Sequence, residues 1–197
     1  REWLEKETFQ NQLTYWQKQL SGELPILQLP TDYTRPTVRT YAGTTLSFVL
    51  PKSLAEELKT LSKQQDVTLF MTLLAAFNIL LYRFTGQTDI LVGSPIANRN
   101  RTEIENLIGF FVNTLVLRSN LAGNPSFCDF LKKVRSVALE AYAHQDLPFE
   151  KLVEEIQPQR NLSHNPLFQV MFVLQNAAMR KLELPGLKVE SLENNGI

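Results

Sequence analysis

The stretch around residue 144 constrains this chain most. A helix-forming run over 127–143 leads into His144-Gln145-Asp146, then Leu147-Pro148-Phe149, then Glu150. Proline has no N–H to donate and its φ is preset, so it suits the first turn of a helix and not its interior. Glu150 then falls where the helix dipole favours negative charge. The pattern predicts one helix ending, a rigid corner, and a second helix starting at once. The corner presents His144, Gln145 and Asp146 together. Upstream, Ile108-Gly109-Phe110-Phe111-Val112-Asn113-Thr114-Leu115-Val116-Leu117-Arg118 reads as a buried-looking strand interrupted by one asparagine. A buried amide without partners costs about 1–3 kcal/mol. Asn113 therefore either bridges neighbouring backbone or orients a bound molecule. Gly109, ahead of two phenylalanines, permits a bend or a close backbone approach.

Periodicity supplies the rest of the frame. Trp3, Leu4, Phe9, Leu13, Trp16 and Leu20 recur at helical spacing over 1–21, and Gly22 is a natural stop. Pro25, Pro30 and Pro36 punctuate an ordered connector over 23–42. Residues 44–50 read as a strand, and Pro51-Lys52-Ser53 opens a helix to about residue 65. Thr68 is a predicted N-cap for an apolar helix over 69–84, which should be buried because it is apolar nearly all round. Gly86 closes it. Strands are expected over 88–97, 112–118, 168–174 and 187–192, with helices over 126–143 and after Pro148. Strands alternating with helices imply an α/β layered domain with a mixed sheet and packed helices. The division expected is a helix and connector over 1–43 and an α/β subdomain over 44–197.

Twenty basic and twenty acidic residues cancel, which argues against a nucleic-acid or anionic-membrane binder. No apolar run reaches the roughly 20 residues needed to span a bilayer. One cysteine, Cys128, excludes an internal disulfide and a cysteine-rich zinc site, and fits a reducing, cytoplasmic setting. It reads as a packed helix residue. With two histidines, His144 and His164, no metal site is expected. A histidine–carboxylate pair of His144 with Asp146, or a triad built on Ser163-His164, is rejected. Adjacent side chains rarely reach nucleophile–base geometry.

Three segments in order, I-G-x-F-V-N-T-x-x-L-R, H-Q-D-x-P-F-E and Ser163-His164-Asn165-Pro166-Leu167-Phe168-Gln169, resemble the later signature motifs of nonribosomal peptide synthetase condensation domains. Gly93-Ser94-Pro95-Ile96-Ala97-Asn98-Arg99 and Tyr15-Trp16-Gln17-Lys18-Gln19-Leu20-Ser21-Gly22 resemble recurrent stretches of the same family. The resemblance implies half of a chloramphenicol-acetyltransferase-like fold, the C-terminal part of a domain cut at both ends. The family's H-H-x-x-x-D-G signature, with its candidate base, is absent and expected upstream of Arg1. The implied reaction joins a donor acyl or peptidyl thioester to an acceptor aminoacyl thioester, and the chain alone is expected to be inactive. An epimerization-type or other acyltransferase variant, or a non-catalytic carrier-docking module, are the alternatives.

The resemblance also assigns partners and sites. No cofactor is bound directly, because the phosphopantetheine arms of carrier proteins bring the substrates. Partners are those carrier domains, the missing half of the domain and a neighbouring adenylation domain. Asn113, Asn165, Ser94 and Gln169 are the substrate-contact candidates. Against these stand plainer readings: Asn165 before proline is turn chemistry, and Ser94 at a strand end either lines a cavity or caps a turn. Arg99 and Arg101 sit in a polar loop, with a phosphopantetheine phosphate contact as the functional alternative. Gly109, His144, Gln145, Asp146, Pro148, Phe149 and Glu150 are motif residues with structural roles.

Overall fold

The computed structural model describes residues 7–34, 36–38, 43–99, 103, 107–156 and 165–175. Among these are five helices and three strands. Helix α1 (Glu7–Gln19) forms because Phe9, Leu13, Trp16 and the following Leu20 make one apolar stripe, and all four are buried. Gly22, at φ +78°, turns the chain out of it in the left-handed region. The described residues of the connector that follows form no helix or strand, yet side chains strap it down. Leu27 N–H donates to Gln169 Oε1 at 2.7 Å, and Gln28 N–H donates to Gln87 Oε1 at 2.7 Å.

Helix α2 (Lys52–Gln64) and helix α3 (Leu69–Thr85) fold against each other, joined by Ser62 and Thr72 hydroxyls 2.7 Å apart. Thr68 caps α3 as its sequence predicts, accepting from Met71 N–H at 3.2 Å, and Gly86 closes it at φ +71°. Leu80 and Phe84 on its last two turns are exposed, so the expected full burial stops short of them.

Strand β1 (Asp89–Ile96) is central. It pairs antiparallel with β2 (Asn113–Asn120), Val92 facing Leu117, and parallel with β3 (Val170–Met171), Val92 beside Val170. The sheet is therefore mixed, as expected, and Ser94 lies within β1 and not at its end. Alternation divides the sheet into two faces. Ile90, Val92, Leu115 and Leu117 share one. Phe172, in register with Val170 and Val92, packs its ring on Phe70 and Phe77 of α3, which places α3 on that face. Helix α4 (Phe127–Ala143) packs on α3 and β2, its Tyr142 against Phe70. The other face carries Leu91, Gly93, Val116 and Arg118. There lie α1, bonded by Arg118, and helix α5 (Phe149–Ile156), which contacts both α1 and β2.

Three strand expectations change. Residues 44–50 form no strand. Their apolar side chains stand in solvent, Val49 at 93% exposure, because a strand requires a partner and none pairs with them among the described residues. The strand over 168–174 shrinks to β3. The buried-looking run before Asn113 is exposed and precedes the sheet, whose β2 begins at Asn113 itself. The expected strand over 187–192, with Ser163, His164 and Arg101, lies outside the described residues. No single helix among the described residues is long and apolar enough to cross a membrane.

Candidate functional site: a corner held by two buried amides

Helix ends leave backbone groups unpaired: carbonyls at the C-terminus, N–H groups at the N-terminus. The corner between α4 and α5 sets both kinds side by side, and three side chains satisfy them. Trp16 Nε1–H donates to His144 O at 2.8 Å. Asn113 donates its two amide hydrogens to Gln145 O and Leu147 O, both at 2.8 Å. Its Oδ1 accepts from Phe149 N–H, at the start of α5, and from Thr114 N–H, both at 2.9 Å. An amide offers two donors and two lone pairs, so Asn113 uses all four on backbone. From α1, Gln12 accepts at Oε1 from Asp146 N–H and Leu147 N–H, both at 3.1 Å, and its Nε2 lies 3.4 Å from Asp146 Oδ2. Gln12 and Asn113 are 5% and 8% exposed, which makes these contacts obligatory.

The corner residues themselves are fastened. Leu147 is buried at the centre. The His144 ring stacks on Tyr15 with centroids 3.9 Å apart, and its Nδ1 lies 2.8 Å from Glu140 O. A carbonyl only accepts, so Nδ1 carries the proton. Tyr15 Oη is buried with no hydrogen-bond partner among the described residues, and burial, with the nearby Glu140 charge adding to it, pushes the phenol up to about 12. Gln145 offers its carbonyl and Asp146 its N–H. Pro148 stands one residue before α5, and Glu150 lies in its first turn.

The other segments singled out in the sequence meet the same corner. Phe149 packs against Phe168 at 5.6 Å. Phe168 lies over Gly93 so closely that a Cβ there would sit 2.5 Å from the ring. Gly93 O in turn accepts from Phe172 N–H at 2.9 Å. Asn165 Oδ1 accepts from Leu167 N–H at 3.2 Å, and Asn165 O accepts from Gln169 Nε2 at 3.3 Å. Gln169 thereby ties the Asn165 turn to the connector at Leu27. Ser94 is buried in β1, across from Leu115. At the corner Asn113 thus meets the backbone of Gln145, Leu147 and Phe149, while Gln169 joins the Asn165 turn to the connector.

Arg99 stands apart. Its guanidinium donates to Leu107 O at 2.8 Å and Gly109 O at 3.4 Å and lies 4.4 Å over the Phe111 ring. Gly109 lies close under the same ring, a Cβ there meeting Phe111 at 2.9 Å.

Two site residues are not picked out by the sequence patterns. Gln12 had a signal: a polar residue one position from Leu13, inside the apolar stripe of α1, marks a buried partner-seeking group. Arg118 had none beyond ending a motif. It forms a bidentate pair with Asp89, with contacts of 2.8–3.3 Å, and donates to Gln19 O, Ser21 O and Glu23 O at and just beyond the end of α1. The Asp89 hydrogen bond raises the Arg118 pKa further. A cation at a helix C-terminus also meets the negative end of the dipole.

A mixed sheet with helices on both faces, and a corner carried round the outer edge of β2, is the α/β architecture of the chloramphenicol-acetyltransferase-like class. Within that class the chain belongs to the condensation domain family, whose family model matches residues 1–195. One of the linear gramicidin synthase proteins of Brevibacillus parabrevis is 56% identical over 193 residues, covering 98% of this chain and 4% of that protein. A four-domain nonribosomal peptide synthetase in its holo form, bound to AMP and glycine, superposes with a TM-score of 0.84 at 26% identity, over 88% of this chain and 13% of that one. The X-domain from teicoplanin biosynthesis superposes with a TM-score of 0.78 at 27% identity, over 84% of this chain and 37% of that one. The chain therefore spans a small part of its relatives.

Proposed function

We propose that this chain is one wall of a unit that forms amide bonds between carrier-bound substrates. The amine of an acceptor aminoacyl thioester attacks a donor acyl or peptidyl thioester. The thiol of the donor arm leaves, and the lengthened chain remains on the acceptor arm. The family match over residues 1–195 carries this reading, supported by the synthetase identity of the relatives. Phosphopantetheine arms of carrier domains deliver both substrates, and an adenylation domain of the same assembly loads them. Most of the acceleration comes from holding two tethered groups in register.

The residues divide by role. Asn113 and Gln169 act through the backbone they hold. Ser94 and Asn165 are the contact candidates. The missing base belongs to the H-H-x-x-x-D-G signature elsewhere in the parent domain, so the chain alone is inactive. The test is a condensation assay with loaded donor and acceptor carriers, comparing this chain with the domain extended upstream of Arg1. Product from the extended protein alone supports the proposal. Product from this chain alone overturns it and points to His144 or His164.

The likeness to an X-domain, a protein also solved in complex with OxyB, favours a second reading as a docking module. Carrier binding without product from either protein would select it.

A further inference from the structure

We infer that Phe168 is a positioning residue for the proposed reaction: the seat of its ring sets where the Asn165 turn stands against β1. The inference rests on the proposed amide-forming role, with Asn165 and Ser94 as the contact candidates. Phe168 is buried, and its ring is held from two sides. On one side it lies over Gly93, which leaves room for it only by lacking a Cβ. On the other side Phe149 packs against it, with the two ring planes inclined at 49°. Phe149 is itself fixed, because its N–H donates to Asn113 Oδ1. Segments far apart in the chain therefore converge on this one ring.

Backbone couples the ring to Asn165. Asn165 Oδ1 accepts from Leu167 N–H, and Asn165 O accepts from Gln169 Nε2. Leu167 and Gln169 are the two chain neighbours of Phe168, so Asn165 is bonded on either side of the seated ring. On β1, Gly93 directly precedes Ser94, and its carbonyl accepts from Phe172 N–H. Strand β3 grips β1 over only two residues, Val170 and Met171. So short a ladder adds little by itself, and the ring seat carries much of the register. Close-packed interiors transmit a change of shape, so a smaller side chain at 168 lets the turn shift. A misplacement of about 1 Å costs up to about a hundredfold in rate.

The test uses the complete condensation domain with loaded donor and acceptor carriers. Phe168→Leu should lower kcat about ten- to a hundredfold and leave the KM for the loaded acceptor carrier within about twofold. Adding Gly93→Ala, whose methyl group enters the space the ring vacates, should restore part of kcat. Val134→Ala, a buried change on α4, should lower the thermal midpoint and leave kcat unchanged. In Phe168→Leu the N–H groups of Leu167 and Phe172, bonded to Asn165 and Gly93, should exchange about tenfold faster. Parental kcat in Phe168→Leu overturns the inference. So does a loss that Gly93→Ala fails to restore, or one that Val134→Ala reproduces. A parent domain that makes no product sinks the amide-forming reading instead. The exchange rates then decide this inference separately, and unchanged rates overturn it.

Discussion

Gln12 and Asn113 hold the same residue from opposite sides. Leu147 donates its N–H to Gln12 Oε1 at 3.1 Å and accepts at its carbonyl from Asn113 Nδ2 at 2.8 Å. One amide comes from the first helix and the other from an edge strand, so the corner joins both to the helices it separates.

Replacing Asn113 by aspartate keeps the shape and removes both donors, setting a carboxylate against the carbonyls of Gln145 and Leu147. The expected loss is about 2–4 kcal/mol, the cost of unpaired buried acceptors plus a buried charge. Urea unfolding followed by circular dichroism measures it, and a change within error would show the clamp to be dispensable.

The two amides share Leu147, so their effects should not add. In a double-mutant cycle of Gln12→Ala and Asn113→Ala we expect a coupling energy of about 0.5–2 kcal/mol. Simple additivity would mean that each holds the corner independently.

Gly93→Ala drives a methyl group into the Phe168 ring. We expect a loss of about 1–3 kcal/mol from overpacking. Phe168→Leu in the same chain should recover part of it. A Gly93→Ala protein as stable as the parent would mean the ring shifts freely.

Arg118→Lys keeps the charge and loses the planar fork that reaches Asp89 and three carbonyls. With the pair partly open to solvent, we expect a loss of only about 1–2 kcal/mol. The sharper readout is faster amide exchange at the end of α1, which a purely electrostatic role would not produce.

Tyr15 sets an alkaline limit. Its phenol is pushed up to about 12 in the folded chain, against about 10 when unfolded. The native state holds this proton longer, so the contribution is full below about pH 10 and is lost as pH rises towards 12. Tyr15→Phe should flatten the fall of the thermal midpoint between about pH 10 and about pH 12, the window set by those two values. At neutral pH it should cost little, because it removes a buried hydroxyl with no hydrogen-bond partner among the described residues. An unchanged alkaline limb would assign the effect elsewhere, Tyr142 being the next candidate since burial raises it as well.

Local signals were legible. Thr68, Gly86, Ser126 and Pro148 sit at helix boundaries where residue chemistry places them, and Ser126 accepts from Asp129 N–H at 3.2 Å. The central strand and the α4–α5 corner were legible for the same reason. Residues 44–50 carried a strand pattern and form no strand, because β structure depends on a distant partner. Ile108 and Phe110 looked buried and are exposed, since hydrophobicity alone does not say which face of a fold a side chain ends on.

By itself the sequence determined the helices, their caps, the corner and the family, because each is written in residues a few positions apart. Tertiary structure decided where the polar side chains of the motifs turn. Asn113 and Gln169 bind backbone, Gln12 joins the corner from another helix, and Arg118 staples α1 to the sheet. A hydrogen bond is short and directional, so its partner is set only once packing has brought distant segments within reach.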